Sequence, residues 1–155
     1  MIRPAEEKDI KRMQELLIQV NNVHASKRPD IFIPDTVKYS VDELKDLIQD
    51  VLHPIFVYID DHEIVQGYAF CQVQEFKNDP HMADRKTLYI DDICVDSECR
   101  RQHIGRQLYE YVYEYAKAEN FTQITLNVWE LNGSARAFYE SVGMVPLKTT
   151  MEVNL

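Results

Sequence analysis

Apolar residues recur every three or four positions from Glu7 to about Ala25, at Ile10, Met13, Leu16, Leu17 and Val20, and this spacing predicts an amphipathic helix. A short strand, Ile2 to Ala5, precedes it. Two prolines in Lys27–Pro34 end the helix, because proline lacks an amide hydrogen and restricts the residue before it. The helical period resumes at Val41, Leu44, Leu47, Ile48 and Val51, and His53-Pro54 stops it. Ile55 to Ile59 reads as a strand, Asp60-Asp61-His62 as a turn, and Glu63 to Phe76 as a long partner strand closed by Asn78-Asp79-Pro80.

Between Leu88 and Val95 the alternation changes phase. Leu88 and Ile90 point one way, Ile93 and Val95 are offset from them, and Asp91-Asp92 stands at the slip. A two-residue period cannot change phase without an inserted residue, so either a β-bulge lies near Asp91-Asp92 or the strand ends there. From Ile104 to Ala118 the tyrosines at 109, 111, 113 and 115 alternate like a strand. Length and the absence of Gly or Pro after Gly105 favour a helix instead, with Ile104, Leu108, Tyr111, Val112, Tyr115 and Ala116 on one face. Phe121 to Trp129 reads as a strand. Asn132 is a good N-cap for a helix carrying Ala135, Phe138, Tyr139 and Val142, with Gly143 as its terminator. Met144 to Val153 reads as a closing strand. The predicted order is β-α-α-β-β-β-α-β-α-β, an α/β protein with a mixed sheet of about six strands and about four helices.

Length and charge narrow the class. A chain of 155 residues with 45% apolar and 28% charged content fits a single domain over residues 1–155. No run approaches the ~18 apolar residues of a membrane span. The start, Met1 to Lys8, is too charged for a secretory signal. Cys71, Cys94 and Cys99 are odd in number and lack zinc-like spacing, so small buried hydrophobes in a reducing cytoplasm are expected, with no metal site. The net charge of -9 argues against nucleic acid and mildly favours cationic partners. A P-loop is excluded, since no G-x-x-x-x-G-K-[ST] occurs among four glycines.

Against that acidity, Arg100-Arg101-Gln102-His103-Ile104-Gly105-Arg106 places three arginines and a histidine at a strand-to-helix junction. Charge alone would make this a solvated basic turn. At a helix start, however, unpaired amides, the positive end of the macrodipole and guanidinium groups together favour a phosphate or pyrophosphate.

With Ile93-Cys94-Val95-Asp96 before this loop and Asn132…Phe138-Tyr139-Glu140…Gly143-Met144 after it, the chain resembles the GNAT superfamily of acetyl-CoA-dependent N-acetyltransferases along essentially its whole length. The family loop pattern is Arg/Gln-x-x-Gly-x-Gly/Ala, and His103 stands where its first glycine is usual. Histidine visits positive φ more readily than most residues, so a working but reshaped cradle is expected. The resemblance implies that the backbone of Ile93, Cys94 and Val95 pairs with the pantetheine arm. It implies that the Arg100, Arg101, Gln102, His103, Ile104, Gly105 and Arg106 segment holds the pyrophosphate. It also implies that Asn132 bonds the pantetheine.

Acetyl transfer needs a neutral amine, donors for the thioester oxygen and a proton for the departing thiolate. The resemblance makes Tyr139 the proton donor, in contact with the cofactor, against a core tyrosine as the bland reading. Asp91 and Asp92 are candidate bases, because adjacent carboxylates at a bulge raise one another's pKa; solvated surface charge is the alternative. A backbone N–H of Ile93 or Cys94 is the candidate oxyanion donor. Cys94 as an acylated nucleophile ranks low, with no histidine placed to activate it. Some relatives carry a glutamate where Asn127 stands, and an asparagine orients substrate or water but is no base. The segment His24 to Pro34 borders the acceptor in relatives, which nominates Arg28, Asp30 and Phe32. The acceptor, a small-molecule amine or a peptide or protein amine, is not legible. A non-catalytic acyl-CoA-binding or regulatory domain is the rival reading, and exposed closing strands make a homodimer reasonable.

Overall fold

Strands that are apolar on both faces take the centre of the sheet in the computed structural model, which describes residues 1–155. β1 (Ile2–Pro4), β2 (Ile55–Ile59), β3 (Val65–Phe76), β4 (Arg85–Val95) and β5 (Gln123–Leu126) lie side by side in that order. The first four are antiparallel to their neighbours, and β5 runs parallel to β4. A parallel neighbour requires a crossover, and α3 (Ile104–Ala118) supplies it. Helices α1 (Ile10–Lys27) and α2 (Val41–Gln49) precede β2, and α4 (Gly133–Ser141) follows β5.

Alternation divides the core into two layers. Ile55, Val57 and Ile59 pack with Met13, Leu16 and Leu17 of α1 and Leu44 of α2. Phe56, on the opposite face of β2, packs with Leu108 and Val112 of α3 and Leu88 and Ile90 of β4. The stripe predicted from Ile10 to Val20 is this buried face of α1. Ser40 caps α2, its hydroxyl accepting from the Glu43 amide at 3.1 Å while the Glu43 carboxylate accepts from the Ser40 amide at 3.2 Å. Gly143, at φ 96°, terminates α4 as predicted, and the Met144 amide donates to the Tyr139 carbonyl at 3.1 Å.

Two expectations are corrected. The strand over Met144–Val153 does not form, so the sheet has five strands rather than six. Its alternation is present in the sequence, but a strand needs an edge to hydrogen-bond, and residues 145–155 make no backbone–backbone hydrogen bond. The strand read from Phe121 to Trp129 shortens to Gln123–Leu126, because its pairing with β4 stops at Ile90↔Leu126. No helix is long and apolar enough to cross a membrane.

Candidate active site

The phase change in β4 is a bulge. Phe70 pairs with Asp92 and Cys71 with Ile90, leaving Asp91 as the extra residue. The strand does not end at Asp92; it continues to Val95. The insertion returns Leu88, Ile90, Ile93 and Val95 to the α3 side and puts Cys94 in the α1 core. It also turns β4 away from β5. Ile93, Cys94 and Val95 therefore pair with Ala69, Tyr68 and Gly67 on one side and with nothing on the other. Gly67 permits this closeness, since a Cβ there would stand 2.8 Å from the Cys94 carbonyl oxygen.

Beyond Val95 the chain is anchored before it becomes open. Asp96 is buried and accepts from Arg12 and, at 3.3 Å, from Gln19, and its amide donates to the Gln66 carbonyl at 2.8 Å. After the Cys99 amide, bonded to the Asp96 carbonyl, the next amide with a backbone acceptor is that of Gln107, bonded to the His103 carbonyl at 3.0 Å. The amides of Arg100 through Arg106 thus form an uninterrupted run without backbone acceptors. Arg101 and His103 have φ of 69° and 58°, so the loop coils left-handed twice before α3 begins. His103 adopts the left-handed backbone expected at the family's glycine position and serves as the N-cap of α3 without a side-chain cap bond. A cleft of about 350 Å³ lies over this run, bounded by Val95, Arg100, Arg101, Gly105, Phe138 and Ser141 among others. Positive helix end, free amides and guanidinium groups suit a diphosphate. Gly105 has no positive φ, and a Cβ there would meet only Val95 at 3.6 Å and Phe138 at 3.9 Å. Neither the backbone nor the packing of the chain demands glycine at this point in the helix.

At the bulge the two aspartates part. Asp91 accepts from Lys38 Nζ at 2.8 Å on both carboxylate oxygens and from the Tyr39 hydroxyl at 2.8 Å, so it ties the α1–α2 connection to β4. Asp92 faces the other way and accepts from the Tyr68 hydroxyl at 2.7 Å. Loss of hydration pushes its pKa up to about 6, with the Asp91 charge adding to the rise. The Tyr68 hydroxyl, Lys38 and the Ile93 amide hold it from going higher. Tyr139, on α4, lies within reach of the charges of Asp92 and Cys94, and burial followed by those charges raises its pKa. Burial likewise pushes the Cys94 thiol up to about 12, and the thiol sits 3.8 Å from the Leu16 carbonyl. A thiol so held is a core group and a poor nucleophile.

The remaining candidates lie on the β5–α4 side and in the segment after α1. Asn127 Nδ2 donates to the Tyr89 hydroxyl at 3.3 Å, across the gap where β4 and β5 part. Asn132 Oδ1 accepts from the Ala135 amide at 3.2 Å, as the predicted N-cap, which leaves its Nδ2 for another partner. Arg28 binds Asp30 and Glu152 through short paired contacts. The Phe32 ring packs 4.9 Å from His24 and 5.1 Å from Trp129. Trp129, Tyr68 and Lys38 were not singled out by the sequence, and His24 only as the start of the segment bordering the acceptor. The bulge register that puts Tyr68 beside Asp92 is a long-range pairing, though Trp129 is the chain's single tryptophan and sits in a loop. No three His, Cys, Asp or Glu side chains converge as a metal site.

Comparison with known proteins bears on the family and the fold. The model of the acetyltransferase (GNAT) family matches residues 19–144. An uncharacterized N-acetyltransferase of Lactobacillus delbrueckii subsp. lactis is 30% identical over 80 residues, which span 52% of this chain and 45% of that protein. The match thus covers less than half of that relative's length. A crystal structure of a mutant of the BH1408 protein from Bacillus halodurans superposes with a TM-score of 0.96 at 34% identity, over 100% of this chain and 99% of the other. An aminoglycoside N-acetyltransferase solved with CoA shares the fold at a TM-score of 0.73 and 12% identity, over 100% of this chain and 98% of the other.

Proposed function

The chain belongs to the acetyltransferase (GNAT) family, and we propose that it moves an acetyl group from acetyl-CoA to a primary amine by direct attack within a ternary complex. The observation that carries this reading is the run of free amides from Arg100 to Arg106, set beside a bulged strand whose Ile93–Val95 edge is open. Acetyl-CoA supplies an activated acyl group and a thiolate leaving group. Amides of the run and the Arg100, Arg101 and Arg106 side chains hold its diphosphate. Backbone groups of Ile93, Cys94 and Val95 hold the pantetheine arm as a neighbouring strand would, and Asn132 Nδ2 donates to it.

Asp92 is the group that accepts the amine proton. A carboxylate with a pKa near 6 is ionised at neutral pH yet more basic than an ordinary aspartate. Asp91, held by Lys38 and Tyr39, keeps the bulge in place and raises Asp92 through its charge. Tyr139 keeps its proton at neutral pH, since its pKa lies above the ordinary value of 10.0. Thiols ionise at about 8.5, so Tyr139 acts on a departing thiolate chiefly as a hydrogen-bond donor. Arg28, Asp30 and Phe32, with His24 and Trp129 behind Phe32, border the amine's approach, and Asn127 orients it or a water.

Free-thiol release from acetyl-CoA, measured across polyamines, aminoglycosides, amino acids and short peptides, tests this function. Amine-dependent release is expected. Binding of CoA with no amine acetylated would favour the binding or regulatory domain instead.

A further inference from the structure

Three aromatic side chains from separate parts of the chain converge. His24 stands near the end of α1, Phe32 in the segment after it, and Trp129 in the loop after β5. Ring centroids lie 4.9 Å apart for His24 and Phe32 and 5.1 Å apart for Phe32 and Trp129, the second pair edge to face. Backbone bonds fix their frame. The Arg28 carbonyl accepts from the Ile31 and Phe32 amides at 3.0 Å each, and the Trp129 carbonyl accepts from the Asn132 amide at 2.9 Å.

Their place follows from the path of α1. The Leu16 carbonyl meets the Cys94 thiol, Gln19 reaches Asp96, and two turns further on Lys27 Nζ donates to the Leu131 carbonyl at 2.9 Å. The helix therefore spans the gap where β4 and β5 part, from the open edge of β4 to the loop after β5. The trio stands on the β5 side of that gap. Rings packed only to pin a loop would be covered, whereas Trp129 is 41% exposed.

Charge on the same elements is already paired. Arg28 holds both Asp30 and Glu152, Arg136 holds Glu130 at 2.8 Å, and Lys38 holds Asp91 at 2.8 Å. Asp92 alone has no cation within hydrogen-bond reach; its partner is the Tyr68 hydroxyl. A second ammonium on the acceptor would meet Lys27, Arg28 and Lys38 with no unpaired carboxylate to receive it. Burial, then the Lys27 charge, lowers the His24 pKa, so the trio is uncharged at neutral pH. Such a wall gains most from apolar or aromatic surface. We propose that the acceptor is a small primary monoamine carrying an aromatic or apolar group, which lies against Phe32 and Trp129 while its amine points to Asp92. The amine's destination rests on the acetyl-transfer reading; the ring contact does not.

Trp129 is the chain's single tryptophan, so its fluorescence reports the site without catalysis. Amines are titrated into the full chain in excess CoA. Phenylethylamine should shift Trp129 emission to the blue and bind about tenfold or more tightly than ethylamine, the scale expected for covering a phenyl ring. Spermidine should bind no more tightly than ethylamine. Phe32→Ala should abolish the preference with far-UV dichroism and CoA affinity unchanged, and Phe32→Leu should keep part of it. Binding with this preference but no thiol release would sink the transfer reading and leave the aromatic site standing. Equal affinities for phenylethylamine and ethylamine, tighter binding of spermidine, or a preference that survives Phe32→Ala would overturn the proposal.

Discussion

Asp92 and Asp91 are neighbours in sequence and meet different partners, and the cause is one inserted residue. Asp91 faces a lysine and a tyrosine hydroxyl, whereas Asp92, partly buried, faces a tyrosine hydroxyl and no cation within hydrogen-bond reach. The rise of the Asp92 pKa from 3.8 to about 6 has two readouts. As base, Asp92 should give kcat/KM an acid limb falling below pH about 6, and Asp92→Asn should lower turnover by about 10²-fold or more while removing that limb. In stability the sign is unusual for a carboxylate. The folded chain binds this proton more tightly than the unfolded chain, so the contribution is present below pH 3.8 and is lost as pH rises through about 6. Asparagine still accepts from Tyr68 and carries no charge, so Asp92→Asn should match or exceed the parent Tm at pH 7 by calorimetry. A lower Tm would show that the ionised carboxylate is stabilising. Tyr139→Phe, which removes only the hydroxyl, should keep CoA affinity and lose turnover.

At the scale of elements, two glycines separate the fold's needs from the ligand's. Gly67 serves the fold, because the Cβ of Gly67→Ala would press on the Cys94 carbonyl at 2.8 Å and on Leu108 at 3.2 Å. Overpacking of this kind costs about 1–3 kcal/mol, visible as a lower urea midpoint. CoA binding should weaken with it, since the displaced segment is the open edge of β4. In the proposed function Gly105 serves the ligand, since neither φ nor packing requires it. Gly105→Ala should stabilise the chain by about 0.5–1 kcal/mol as a better helix former, and weaken CoA binding by placing a methyl in the cleft. A variant that loses neither stability nor affinity would remove the reason offered here for that glycine.

These elements also show how far the sequence could be read. The α1 stripe, the Asn132 cap and Gly143 are local patterns and stand where their spacing placed them, whereas the second stripe stops at Gln49 and leaves Val51 outside the helix and exposed. The phase slip at Asp91-Asp92 was legible, but whether it marked a bulge or a strand end was not; the pairing register with β3 decides for the bulge. His103 was legible as a left-handed residue only through the family pattern, since nothing local distinguishes it from a basic turn. The partners that divide Asp91 from Asp92 lie far away in sequence, at Lys38, Tyr39 and Tyr68, and pairing register alone brings them there. The failed closing strand has the same origin. Alternation reports which side chains want cover, and it cannot report whether an edge is available within the same chain.

Across the whole molecule, two cores clamp one sheet whose strands β4 and β5 part beyond the bulge. The α1–α2 layer holds the carboxylate side through Tyr39 and Lys38, and the α3–α4 layer brings the amide run and Tyr139. A net charge of -9 surrounds a basic loop that has no acidic residue in the first turn of α3. That local reversal suits an anionic ligand once the free amides of the same loop are set beside it. The central claim is that main-chain amides between Arg100 and Arg106 hold a diphosphate. Titration calorimetry with CoA, with pantetheine, which lacks the diphosphate and the nucleotide beyond it, and with adenosine 3′-phosphate, which carries the nucleotide alone, addresses it. Two charge-assisted hydrogen bonds are worth about 3 kcal/mol together, so pantetheine should bind on the order of a hundredfold more weakly than CoA. Equal affinities, or no heat from CoA at all, would contradict the account.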